Sequence, residues 1–299
     1  MLLTIAFRNV IRQAQRYFLV WFSIAAGLGI ILAIMAALGG ITRVVEDKAS
    51  RYFAGHVTVS GFHAPYEPRI DHVDQVLGVI QPLLPPGASV DARTVFYSDD
   101  PARLFFNGQE LPQRRLVGMD ASYHGSVFRN LELVQGDFSS AFQPGTIMIS
   151  EAVAGQLGAR VGDSLTLGIR TSKGFTNTAT CTIMAIYRET SIFSWASYVS
   201  RTDMNGLLGF GPDQATDIGV ELPGGGRDTL RARIHEALEQ AWPGKVLPPT
   251  RNKEERAPLL SGTWEGTRFS VQTLAFGLGA LNDIITALEL VSLFLLVVL

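Results

Sequence analysis

The chain has 299 residues, 47% of them hydrophobic, and a formal net charge of −2 at pH 7. That length holds one large or two modest domains beside any membrane segments, and the near-neutral charge offers no basic footprint for nucleic acid. The single cysteine, Cys181, excludes an internal disulfide.

Residues 1–16 read as an amphipathic, basic helix. Leu3, Phe7, Val10, Ile11 and Ala14 share one face, and Arg8, Arg12 and Arg16 recur every fourth residue on the other. Such a helix suits the inner membrane surface. The three arginines are the candidate membrane-surface residues and also act as topology signals.

Residues 17–42 follow, 26 positions without a charge, bracketed by Arg16 and Arg43. About 20 apolar residues in a helix span the hydrocarbon core of a bilayer, so this run is a transmembrane helix. The competing reading is a cleaved signal peptide with Ala37-Leu38-Gly39 as its small-residue site, but the run is too long for a typical signal core. The arginines before it, and the mixed signs of Glu46, Asp47, Lys48 and Arg51 after it, predict a cytoplasmic N-terminus with the following chain outside. Within the span Ala25, Gly29, Ala33 and Ala37 form a stripe of small side chains, the candidate helix-packing residues.

Helical pattern continues to about Tyr52, and residues 55–60 then alternate as a strand. Residues 71–81 predict a helix with Val73, Val76, Leu77 and Ile80 on its inner face. Strands are predicted over 89–97, 102–106 and 114–118, and a polar stretch runs from Asp120 to Gly136. Residues 146–149 read as a buried strand, and Ser150 as the cap of a helix that Gly158 ends. Gly162-Asp163 reads as a hairpin-type turn, followed by strands over 164–169 and 180–187; the second places Cys181 as a buried thiol. A helix over 201–208, a strand over 217–222 and a helix capped by Asp228 and running to Trp242 come next, the last with Leu230, Ile234, Ala237 and Leu238 inside. After a charged loop to Pro258, a helical pattern starts near Gly266 and merges into a second apolar run over 284–299. That run is expected to continue past Leu299 in a longer membrane protein. Asp283 and Glu289 at its start are read as interfacial carboxylates.

No GxxxxGK[ST] loop is present to wrap phosphates, and Gly224-Gly225-Gly226 has no following lysine. ATP hydrolysis by that route is therefore not expected of this chain. His63, Asp71, His72 and Asp74 are dense in metal-capable atoms, but their spacing matches no zinc signature. No GxSxG elbow appears. The chain is therefore expected to have no catalytic, metal or cofactor site and to be no enzyme.

The order of features resembles the permease subunit of MacB/FtsX/LolCE-type ABC transporters. Ala6-Phe7-Arg8-Asn9-Val10 is similar to the opening of that family, and Gly55-His56-Val57-Thr58-Val59 to its first strand. The more specific passage is Ile149-Ser150-Glu151-x-Val153-Ala154-x-x-Leu157-Gly158-x-x-Val161-Gly162-Asp163-x-Leu165-Thr166-Leu167. Tyr198-Val199-x-x-x-Asp203-Met204, Leu207-Leu208-Gly209 and Gly219-Val220-Glu221-Leu222 extend it.

The resemblance implies an α+β extracytoplasmic domain over 43–270, anchored by transmembrane helices. A mixed α/β porter part (50–107 and 214–262) would carry an inserted β-rich part (108–213), and residues 271–299 would form a stalk helix and the start of the second span. It also implies a place in the bacterial inner membrane, a separate cytoplasmic ABC ATPase and a second permease copy or paralogue as partners. The assembly would relay ATP-driven motion to an outer domain working on a lipoprotein or peptide substrate. The alternative within the family is an FtsX-like signalling protein whose outer domain activates a periplasmic or cell-wall partner. The chain departs from the pattern by stopping inside its second span, short of the third and fourth.

Overall fold

The computed structural model describes residues 14–120, 128, 131–189 and 192–279, together with 283, 286–287, 290–291 and 293–294. The chain divides into two compact units, one made of Met1–Asp47 with Leu278–Leu299 and the other of Lys48–Gly277.

In the first unit, helix α1 (Ala14–Phe53) begins and runs on without a break into the second. It contains no proline, and the hydroxyl of Ser23 within the apolar stretch donates to Leu19 O at 2.8 Å, so it is satisfied inside the helix. It is the one helix among the described residues long and apolar enough to cross a membrane.

The second unit opens with the last turn of α1, where Ala49, Ser50 and Arg51 are buried. Two successive left-handed residues, Ala54 (φ 71°) and Gly55 (φ 91°), end the helix. That conformation costs a non-glycine residue about 1–2 kcal/mol. Here the surroundings hold it: Gly55 N–H donates to Ser50 O at 2.7 Å, and Thr58 Oγ1 to Ala54 O at 2.9 Å. Gly219 faces Ala54 because a Cβ there would lie 2.6 Å from Ala54 O.

Strand β1 (Val57–His63) sits between β14 (Asp217–Glu221) and β15 (Arg268–Thr273), antiparallel to both, and β4 (Ser89–Val95) pairs with the far side of β14. Helices α2 (Val73–Ile80) and α5 (Arg227–Ala241) cover one face of these four strands. They insert Val73, Val76, Leu77 and Ile80, and Leu230, Ile234 and Leu238, among Val57, Val59, Val90, Ile218, Phe269 and Val271.

The sheet then passes through β4 to β7 (Arg115–Met119), β12 (Ala196–Ser200), β9 (Thr146–Ser150), β11 (Thr176–Arg188), β10 (Ser164–Arg170), β5 (Ala102–Phe106) and β6 (Gln109–Gln113), with β8 (Glu132–Gly136) against β11 and β2 (Glu67–Pro68) against β1; β3 (Ile70–Asp71) and β13 (Gln214–Ala215) pair separately. Only the β7/β12 and β9/β11 pairs of this path are parallel. The central strands β7, β12 and β9 bury both faces. Leu116, Ile147, Ile149 and Ile186 pack with helices α3 (Glu151–Leu157) and α4 (Arg201–Leu208) on one side. Val117, Met148, Ala185 and Tyr187, which alternate with them, pack around Phe128 and Phe142 on the other.

Several local expectations hold. Ser150 caps α3 by accepting from Val153 N–H, and Gly158 ends it at φ 64°. Cys181 is fully buried, and burial, then the Asp203 carboxylate, push its thiol up to about 11. Others need correction. The helix expected from Gly266 is strand β15 over Arg268–Thr273, and helix α7 (Leu274–Leu278) starts only after it, because Phe269 and Val271 are drawn into the core by pairing with β1. Asp228 lies in the first turn of α5, whose cap position is Gly226 in the left-handed region with no side-chain bond. Ala237 of the same helix is only partly buried. The Gly162-Asp163 turn joins α3 to β10 rather than two strands, and the charged loop before Pro258 contains a short helix, α6 (Lys253–Arg256). Strands β6 and β8 were not expected in their polar stretches.

Candidate functional site

The alternation of β1 divides its side chains. Val57 and Val59 face the core, while Thr58, Ser60 and Phe62 line a cleft of about 160 Å³ on the opposite side. Asp217 of β14 and Gln272 of β15 flank them. Phe53 from the end of α1, Arg115 from the start of β7, Lys253 and Arg256 from α6, and Leu274 and Phe276 from α7 complete the walls. In the sequence the cleft draws on the residues just after the first apolar run and just before the second.

Two arginines dominate its electrostatics. The Arg256 guanidinium carbon lies 4.8 Å from the centre of the Phe62 ring and 4.7 Å from that of Phe276. The Arg115 guanidinium lies 4.8 Å from Tyr52 and 5.4 Å from Phe53. Both side chains are more than nine-tenths buried, and the Nε of each has no hydrogen-bond partner. Among the described residues no carboxylate pairs with either. The cleft's one carboxylate is engaged elsewhere: Asp217 accepts from Ser60 Oγ at 2.5 Å, Tyr97 Oη at 3.0 Å and Thr216 Oγ1 at 2.8 Å. The cleft thus presents positive charge against aromatic rings.

A second feature ties α1 to the sheet. Arg93 and Asp91, two residues apart on β4, project from the same face and pair while almost wholly buried. Arg93 Nη2 donates to Asp91 Oδ1 at 3.1 Å, and Arg93 Nη1 to the carbonyl of Arg51 at 3.0 Å. Burial raises the Asp91 carboxyl above its ordinary range while Arg93 draws it back. Desolvation lowers Arg93, but Asp91, the hydrogen bond between them and Glu221 more than offset it, so Arg93 stays charged. Lys48, one turn earlier on α1, reaches Glu189 at 2.6 Å. The last turn of α1 is therefore held by charge as well as by the Ala54–Gly219 contact.

The sequence-derived candidates fall elsewhere. Arg8 and Arg12 lie outside the described residues, as does Glu289; Arg16 is in α1 and Asp283 is exposed. Ala25, Gly29, Ala33 and Ala37 are all exposed, and a Cβ built on Gly29 meets nothing within 4 Å. Of the four metal-capable residues only His63 and Asp71 meet, with His63 Nε2 2.8 Å from the carboxylate; His72 Nδ1 lies 3.6 Å from Asp213 instead, and Asp74 is exposed. Arg115 and Arg256 escaped the sequence reading because each looks like an ordinary surface charge. The Asp91-x-Arg93 spacing inside an alternating strand was the one available signal of a buried pair.

The family model described as "MacB-like periplasmic core domain" matches residues 17–237. Comparison with curated proteins gives no match. Among solved structures, the periplasmic region of MacB from Actinobacillus actinomycetemcomitans is similar at 11% identity. The match covers 75% of this chain and 92% of that one with a TM-score of 0.44. A domain assigned to a permease protein of Porphyromonas gingivalis matches at 17% identity over 62% of this chain and 79% of its own, with a TM-score of 0.38.

Proposed function

Since the chain belongs to the family of MacB-like periplasmic core domains, and so to the MacB/FtsX-type ABC permeases, we propose that it relays ATP-driven motion from a cytoplasmic ATPase to an extracytoplasmic domain that acts on a lipoprotein. A second copy or a paralogue would complete the permease pair. The observation that supports this reading is the fixing of the last turn of α1 to β4 by Arg93, Asp91 and the Arg51 carbonyl. A displacement carried by the helix reaches the sheet instead of being absorbed at a loose joint.

The test breaks α1 between its apolar run and its last turn. Val45→Pro removes a helix hydrogen bond and adds a ring clash. In proteoliposomes containing the full-length protein and its ATPase, ATP hydrolysis continues and lipoprotein release is lost. Release at the unmodified rate from correctly inserted protein refutes coupling through α1. If the unmodified assembly releases no lipoprotein but activates a cell-wall hydrolase, the FtsX-like signalling reading replaces this one.

The proposed orientation, N-terminus in the cytoplasm, rests on Arg8, Arg12 and Arg16. Ser172 sits in an exposed turn after β10, while Cys181 is buried and silent toward thiol reagents. Ser172→Cys is therefore labelled by a membrane-impermeant maleimide from the outer side of the inner membrane. Labelling only after that membrane is opened reverses the assignment.

A further inference from the structure

We infer that the cleft between β1, α6 and α7 binds an anionic amphiphile: one apolar chain ending in a carboxylate or phosphate. This stands apart from the cargo proposed above, because it concerns a resting site on the domain and needs no ATPase. Arg115, Arg256 and Lys253 line the cleft against one carboxylate, Asp217, whose oxygens already accept three hydroxyl hydrogen bonds. Two of these cations are buried with an Nε donor left without an acceptor. A buried donor without a partner is costly, so an incoming anionic oxygen gains the bond the protein lacks. The same guanidinium groups lie over Tyr52, Phe53, Phe62 and Phe276, whose rings attract a cation.

The rest of the lining selects against other anions. Phe53, Phe62, Leu274 and Phe276 make the walls largely apolar, and a fully hydrated polyanion such as a nucleotide would lose water against them without compensation. A neutral alkyl chain would satisfy the walls and leave both Nε groups bare. Only a molecule with both halves answers the whole cleft. The free fatty acid and the anionic phospholipid share that chemistry.

Photo-crosslinking of the full chain in phosphatidylcholine nanodiscs tests the inference with a palmitate carrying a diazirine on its chain. Adducts are expected on the peptides bearing Phe62 and Phe276, competed by dodecyl phosphate and not by dodecanol. Arg256→Gln lowers their yield by about tenfold, and Lys253→Gln, on an exposed side chain, by about threefold, as expected for a buried and a screened charge. Adducts confined to residues 18–42, or equal competition by dodecanol, overturn the inference. So does an unchanged yield in Lys253→Gln should Arg256→Gln not fold. A second set of discs holds a photoreactive phosphatidylglycerol and no free acid. Labelling of the same peptides there assigns the site to a membrane lipid, labelling by the free acid alone assigns it to a soluble amphiphile, and labelling in neither overturns it.

Discussion

The two ends of α1 invert the usual relation between polarity and burial. Phe18 and Trp21 are 67% and 70% exposed, whereas Ser50 and Arg51 are 3% and 7% exposed. An apolar stretch with most of its side chains exposed and a polar turn sealed in protein belong to one continuous element because each end is matched to a different surrounding. The apolar stretch is suited to lipid, where the backbone is satisfied internally and bare Leu and Phe cost nothing. The polar turn is suited to a domain whose groups complete its hydrogen bonds: Arg93 takes the Arg51 carbonyl, and Gly55 N–H takes that of Ser50. The chain is thus a membrane-anchored protein with an extracytoplasmic domain.

Damage at the sealed end should register as lost stability of the domain. Asp91→Ala leaves the Arg93 guanidinium buried without its main partner and should cost about 3–5 kcal/mol, measured by denaturant or thermal unfolding. Asp91→Leu combined with Arg93→Met removes both charges and should recover part of that loss. A double variant as unstable as the single one would mean that the contact to the Arg51 carbonyl, not the ion pair, holds the turn. Gly219→Ala comes next. Its Cβ would meet Ala54 O, a backbone atom that cannot swing aside, and about 1–3 kcal/mol of destabilisation is expected.

At the exposed end the same kind of change should leave the domain untouched. A Cβ at Gly29 meets nothing within 4 Å among the described residues, and Gly29→Leu replaces a poor helix former with a good one, so the unfolding midpoint of the domain should not fall. Cross-linking should instead report loss of assembly, since a bulky side chain blocks close approach of another helix to the Ala25/Gly29/Ala33/Ala37 stripe. Ile30→Leu is the control. An equal loss of assembly in Ile30→Leu removes any special role for the stripe, and a falling midpoint in Gly29→Leu erases the contrast between the two ends.

Much of the domain was legible because its signals are local. The cap at Ser150, the inner faces of α2 and α5, and the buried alternation around Cys181 each depend on residues a few positions apart. The error at β15 has a definite source. Residues 268–273 adjoin a long apolar run, and their Phe, Val and Thr were read at helical period as its continuation. Phe269 and Val271 alternate equally well as a strand, and the antiparallel edge of β1 decides between the two. The edge strands β6 and β8 were missed because exposed strands carry polar residues on both faces and leave little periodicity to read.

The apolar run over 17–42, its flanking charges, the absence of a phosphate loop and the order of helices and strands through the α3–β10 passage were determined by the sequence itself. Neighbouring residues carry each of them, and hydrophobic spacing and capping act over one or two turns. Which charges are buried was decided only by the tertiary structure. Arg115 and Arg256 have nothing in their local sequence that separates them from solvated arginines, and Arg93 has only the Asp91-x-Arg93 spacing. Their burial follows from strands and helices remote in the chain closing over them: the last turn of α1 over Arg93, Tyr52 and Phe53 over Arg115, and Phe62 with Phe276 over Arg256. Desolvation of a charge depends on everything packed around it, and most of that packing lies far away in the sequence.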